Sequence, residues 1–264
     1  MIVLNTDLDN TIIYSYKHDI GSLKRNVERY QGREISFITE RTFELLQEVK
    51  KKMWIVPTTT RTVEQYQRID LGVGPFPYVL AANGGILLVD GVSDERWYVQ
   101  SKELVADSQE EIDRSIRILE TEKRRTLDVR YIHELFVFTK CEEPELVVDE
   151  LKKRLDISRV DVFHNGVKVY VVPKKLNKGM AVTRLREKWK PEYVIAAGDS
   201  EFDLSMLLSA DKGLVPYGFK KQFQTGIGVI EMNRHSVFSD ALLEECLNTV
   251  MEPAKQAPRN VHSK

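Results

Sequence analysis

Ile2-Val3-Leu4-Asn5-Thr6-Asp7-Leu8-Asp9-Asn10-Thr11 opens the chain with a short apolar run that stops abruptly at two aspartates. An apolar run of that length, bounded by a polar loop, reads as a strand buried on both faces. Comparable runs recur at Trp54–Thr58, Tyr78–Ala82 and Tyr193–Ala197, with helical patterns between them. That alternation predicts an α/β fold built on a Rossmann-like, mostly parallel sheet. Thr39 is placed to cap a helix carrying Phe43, Leu46 and Val49, and Val182, Leu185 and Trp189 follow Lys178 at helical spacing. Ser239 opens another amphipathic helix with Leu242, Leu243, Cys246, Leu247 and Val250 on one side.

Between residues 86 and 167 the periodicity changes to two, which predicts antiparallel strands at Leu127–Tyr131 and Leu135–Thr139. A hairpin joins Val160 and Val162 to Val167, Val169 and Val171 across Asn165-Gly166. Two helices interleave, one carrying Ile112, Ile116 and Leu119, the other starting near Pro144. The expected organisation is a first core part at 1–85, an inserted α+β module at 86–167, a second core part at 168–253, and a frayed tail at 254–264.

With 39 Lys and Arg against 40 Asp and Glu, the chain has no electrostatic call for nucleic acid. It has no apolar run of membrane-spanning length, so no membrane partner is expected. Asp7 and Asp9 interrupt the apolar stretch that a signal peptide would need, and two cysteines are too few for a disulfide framework. A cytoplasmic location is the default expectation, with Cys246 a buried, inert thiol.

Chemistry concentrates at strand ends, where open α/β sheets keep their sites. Asp7 and Asp9, one residue apart in a loop, can aim two carboxylates at a hard, oxygen-loving cation such as Mg²⁺. A D-x-D-x-T string alone arises by chance in about one chain in twenty of this length. Thr58-Thr59-Thr60-Arg61-Thr62 follows the second strand, where hydroxyls and a guanidinium suit phosphate oxygens, or where Thr60 or Thr62 simply caps a helix. Lys178-Gly179 opens a helix, a place where a cation is locally disfavoured. Gly198-Asp199-Ser200-Glu201-Phe202-Asp203 follows a third strand, with Asp199 also readable as an ordinary cap.

Taken together and in order, these segments resemble the haloacid-dehalogenase superfamily's phosphatases, with DLDNT as first motif, Thr59 as second, Lys178 as third and GDSEFD as fourth. The resemblance covers residues 1–253. The position of the insert, together with Lys178-Gly179 and Ala82-Asn83-Gly84-Gly85, is similar to the C2-capped branch that includes Cof-type, sucrose-phosphatase-like and trehalose-phosphatase-like proteins. The resemblance implies a Mg²⁺-dependent phosphohydrolase acting on a small phosphorylated metabolite such as a sugar phosphate, in which Asp7 attacks phosphorus and Asp9 is the acid and base. It implies that Lys178 and Thr59 hold the phosphoryl oxygens, that Thr11, Thr60, Arg61, Asn83 and Gly84 serve the substrate, and that Asp7, Asp199, Asp203 and the Asp9 carbonyl hold the metal. Phe202 stands where asparagine is common, and Thr60 replaces a glycine. A sugar phosphomutase with the same core, or a catalytically silent binding module, are the alternatives. Tyr14–His18 is rich in groups that could touch substrate, and Gly21–Phe37 is a longer connection than the branch usually carries, with a hairpin expected around Tyr30-Gln31-Gly32-Arg33.

Overall fold

Strand Ile2–Thr6 is buried along almost its whole length because it lies in the middle of a parallel sheet, with Val3 packing into one layer and Leu4 into the other. The computed structural model describes residues 1–251 of the 264. The stretch Glu252–Lys264, expected from its composition to fray, lies outside the described residues.

The sheet runs in the order Val229–Glu231, Lys212–Val215, Tyr193–Ala197, Ile2–Thr6, Trp54–Pro57, all parallel. From Ile2–Thr6 the chain goes to one side and later returns on the other, so a crevice opens at the carboxyl ends of the central strands. Thr58 bridges Leu80, which continues the layer into the antiparallel pair Tyr78–Ala81 and Ile86–Val89. Helices Glu40–Lys50 and Phe238–Met251 cover one face through Leu45, Leu46, Val49, Leu242, Leu243 and Cys246. Helices Lys178–Trp189 and Leu204–Leu208 cover the other through Ala181, Val182, Leu185, Met206 and Leu207.

A second core sits in the insert, where strands Val160–Asn165, Lys168–Pro173, Phe136–Lys140 and Arg130–Ile132 form an antiparallel sheet in that order. Helices Gln109–Glu120 and Pro144–Arg154 pack on one of its faces against Val137, Val160, Val162, Val169 and Val171. Both limits expected for the insert cut through paired structure. Ile86 pairs with Ala81, and Trp97 of helix Glu95–Val105 packs with Val3 and Ala181 of the parallel core. At the other limit, Lys168–Pro173 is an interior strand of the cap sheet, so strand pairing places the cap at residues 109–173. The strand expected at Leu127–Tyr131 is shorter and starts at Arg130, because the Leu127 carbonyl accepts from the Thr139 hydroxyl instead of a ladder N–H.

The long connection after the first motif forms a three-stranded antiparallel sheet of Tyr14–Ser15, Arg33–Thr39 and Lys24–Tyr30. Its hairpin turns at Gln31-Gly32, both with positive φ (49° and 75°), as the tight twist-matched turn requires.

Gly179 lies where the helix Lys178–Trp189 meets the 204–208 helix, and a methyl group there would overlap the Ser205 carbonyl. Glycine-to-alanine inside a helix ordinarily stabilises. Here Gly179→Ala is expected to destabilise by about 1–3 kcal/mol in urea unfolding, and a gain in stability would contradict this packing.

Candidate active site

Asp7 is the first residue past its strand, and its N–H still donates to the Ala197 carbonyl at 2.9 Å, so its backbone is fixed by the sheet. Lys178 stands at the start of its helix because Asn177, which caps it by accepting from Met180 N–H at 2.8 Å, leaves the lysine free to turn inward. Its side chain is 1% exposed, and Nζ donates to Asp7 Oδ1 and to Asp203 Oδ1, each at 2.6 Å. Asp203 Oδ2 in turn accepts from the N–H groups of Asp199 and Ser200, both at 3.0 Å, and from Ser200 Oγ at 2.9 Å. Ser200, not Asp199, therefore caps the turn Glu201–Asp203, and the Asp199 carboxylate is left facing the crevice, where the Thr11 hydroxyl donates to it at 3.4 Å and the Asn10 side chain also hydrogen-bonds it. Gly198 is required beside this strap, since a Cβ there would overlap the Asp203 carboxylate.

Asp7, Asp199 and Asp203 each present an oxygen within 4.8 Å of the others. Three carboxylates against one ammonium leave two negative charges in excess in a buried place. Burial pushes the Asp7 carboxyl well above its ordinary range; Lys178 opposes this, and Asp203, Asp199 and Asp9 add to it. Burial, then Asp203, raise Asp199 to about 7. Burial alone would depress Lys178, but Asp203 and Asp7 outweigh it and hold its pKa above the usual lysine value. An all-oxygen donor set with this charge excess fits a hard divalent cation.

The Asp9 carboxylate lies outside that acidic group. It takes a two-pronged bond from Arg61, Nε to Oδ2 at 2.8 Å and Nη2 to Oδ1 at 2.7 Å. Arg61 Nη1 also donates to Glu28 Oε1 at 2.8 Å. Burial works against the Arg61 charge, yet Asp9 and Glu28 together raise its pKa. Glu28 is fully buried and is also held by Ser36 Oγ at 2.6 Å and Arg68 Nε at 3.3 Å. Sequence reasoning missed Glu28, Ser36 and Arg68. Strict alternation would put neighbouring Val27 and Glu28 on opposite faces, but register shifts on both sides of Glu28 bury the two together.

A cavity of about 470 Å³ joins Asp7, Asp9, Arg61, Asn83, Lys178 and Asp199 to the inner face of the cap sheet. Thr60 also lines it. Three expected substrate residues do not. Thr11 is buried and donates to Asp199. Thr59 is buried, and its hydroxyl accepts from Arg61 N–H at 3.1 Å. Gly84 lies against the helix at Ala181, where a Cβ would overlap that side chain, and its carbonyl accepts from Trp97 Nε1 at 3.0 Å. The Tyr14–His18 stretch also turns elsewhere, since the Tyr14 hydroxyl is buried between Thr11 O and Ser239 N–H. Phe202, by contrast, reaches across to the cap, with its ring 4.5 Å from Phe163.

Residues 76–215 match the haloacid dehalogenase-like hydrolases, and the chain belongs to that family. A phosphoglycolate phosphatase from Methanopyrus kandleri is 28% identical over 143 residues, 52% of this chain and 58% of that protein; the chain thus spans little more than half the length of this curated relative. The sucrose-phosphatase from Synechocystis, solved with sucrose and phosphate, superposes with a TM-score of 0.65 at 20% identity, covering 94% of this chain and 97% of that one. A protein from Thermoplasma acidophilum superposes at 0.59 with 15% identity over 95% and 98% of the two chains. These likenesses show the C2-capped fold. No helix among the described residues is long and apolar enough to cross a membrane.

Two outcomes follow from the geometry. Asp199 binds its proton more tightly folded than unfolded, so without a cation stability falls as pH rises from its unfolded value of about 4 toward 7. Magnesium is therefore expected to raise Tm more at pH 8 than at pH 5, measured by calorimetry, and equal shifts at both would contradict the acidic site. Removing the buried anion by Glu28→Ala should cost about 3 kcal/mol in chemical denaturation, and a loss under 1 kcal/mol would mean the network carries little.

Proposed function

We propose that the protein is a phosphatase that removes phosphate from a small phosphorylated metabolite through an aspartyl-phosphate on Asp7. The observation that carries this reading is the buried Lys178 bridging Asp7 and Asp203, with Asp199 alongside, at the mouth of the cap-covered cavity. Lys178 holds Asp7 Oδ1, while Oδ2 makes no hydrogen bond with a described residue and is the oxygen that attacks phosphorus. As that O–P bond forms, the bond from phosphorus to the leaving oxygen breaks, and Asp9 supplies the proton the leaving oxygen takes. Water then attacks the same phosphorus, Asp9 takes a proton from it, and the bond to Asp7 breaks. Arg61 must give up at least part of its grip on Asp9 for this exchange, and an arriving phosphoryl group offers the guanidinium a matching pair of oxygens.

Asp7, Asp199 and the Asp9 backbone carbonyl would hold Mg²⁺, with Asp203 bracing the loop; when bound, the ion neutralises phosphoryl charge. Thr60, Arg61 and Asn83 line the substrate side of the cavity. Thr59 and Thr11 support it from behind, Thr59 by fixing the Arg61 backbone and Thr11 by orienting Asp199. The cap closes water out of the crevice.

Purified protein is expected to hydrolyse p-nitrophenyl phosphate only with Mg²⁺. Asp7→Asn should lower kcat by at least about 10³-fold, with an unchanged circular dichroism spectrum. Near-normal turnover by that variant would remove Asp7 as nucleophile.

A further inference from the structure

The inner face of the cap sheet is arranged in rows. Alternation turns Phe138 and Lys140, Lys168 and Tyr170, and Phe163 and Asn165 of three neighbouring strands to the same side. Register then sets Phe138, Tyr170 and Phe163 in line, with ring centroids 5.6 and 5.3 Å apart and tilts of 30° and 23°. One step along, Lys140, Lys168 and Asn165 are direct partners across the same three strands. The three rings, Lys168 and Asn165 line the cavity that holds Asp7 and Asp9.

The aromatic row has a structural use, because Phe202 of the core packs edge-on against Phe163 and seats the cap. The lysine row has none. Like charges directly opposite on neighbouring strands repel. Neither Lys140 nor Lys168 makes a hydrogen bond or ion pair with a described residue, whereas Lys174 and Lys175 nearby each reach a carboxylate at 2.6 Å. Burial, then Lys140, push the Lys168 pKa down, with Asp9 opposing this and Arg61 adding to it. An unfavourable pair with no structural return, of which Lys168 lines a reaction cavity and Lys140 stands directly beside it, points to a ligand that offsets it. That ligand must be anionic. The transferred phosphoryl group is already provided for by Lys178, Arg61 and the cation site on the core side.

We infer that the substrate's leaving group carries a second anionic group, a carboxylate or a second phosphate, received by Lys168 and Lys140 with Asn165 beside them, while an apolar face lies along Phe138 and Tyr170. This rests on the phosphatase reading and adds the substrate class to it. The cavity volume agrees with a leaving group of drug-like rather than minimal size.

The test uses non-hydrolysable phosphonates, so that binding is read without turnover: phenylphosphonate, 4-carboxyphenylphosphonate and 1,4-phenylenebisphosphonate, titrated calorimetrically into the whole protein with Mg²⁺. At least one of the two ligands with a second anionic group is expected to bind about tenfold tighter than phenylphosphonate, and which one it is separates carboxylate from phosphate. The preference should shrink in 0.5 M salt and fall to about one in the Lys140→Gln/Lys168→Gln variant. Equal affinities in the wild type, or a preference that survives in the double variant, would overturn the inference. So would an equal weakening of all three ligands in that variant, which would mean that Lys168 holds the transferred phosphoryl group. Turnover of p-nitrophenyl phosphate, run in parallel, reports on the phosphatase reading separately, since it can succeed while the preference is absent.

Discussion

One buried ammonium holds the centre of this protein together. Lys178 Nζ sits between Asp7 and Asp203, and those two aspartates end different strand–loop units of the parallel sheet. A lysine so fully removed from water is tolerated only with carboxylates in direct contact, and the carboxylates in turn would be costly without it. The pairing therefore ties the third helix-start motif to the first and fourth strand ends. It also leaves the acidic side under-neutralised, because Asp199 joins the group without a cation of its own. The fold creates an excess of negative charge at the topological switch point, and a hard divalent cation fits that excess.

A second layer of charge surrounds the first. Glu28, buried by the bulged strand of the long hairpin, fixes Arg61 and Arg68, and Arg61 fixes Asp9. The connection between the first motif and the first long helix is thus part of the site. It supplies the one carboxylate that stands behind the guanidinium. The cap supplies the remaining wall, with Phe202 as the contact by which the fourth motif meets it.

Much of this was legible in the sequence. The apolar runs marked the strands because strands buried on both faces leave no alternation, and the acids at their ends marked the crevice. The cap's hairpin was readable from Asn165-Gly166, yet its boundary was not, since an inserted sheet that reuses the returning strand Lys168–Pro173 gives no break in pattern there. The resemblance implies substrate roles for Thr59, as the second motif, and for Gly84; in three dimensions Gly84 is a packing contact with Ala181 and Thr59 a backbone brace. Glu28 was invisible because bulges break the period on which burial is read. Phe202 stood out only as a departure, and its meaning depends on Phe163, a cap residue thirty-nine positions earlier in the chain.

The central claim is that Asp7, held by Lys178, forms the covalent intermediate. Acid quenching of the enzyme during turnover of a phosphomonoester with Mg²⁺, followed by borohydride reduction and peptide mass spectrometry, tests it directly. The account predicts reduction of the acyl phosphate to homoserine at position 7 and at no other aspartate. Steady turnover with no modified aspartate, or with the label at Asp9 or Asp199, would contradict it.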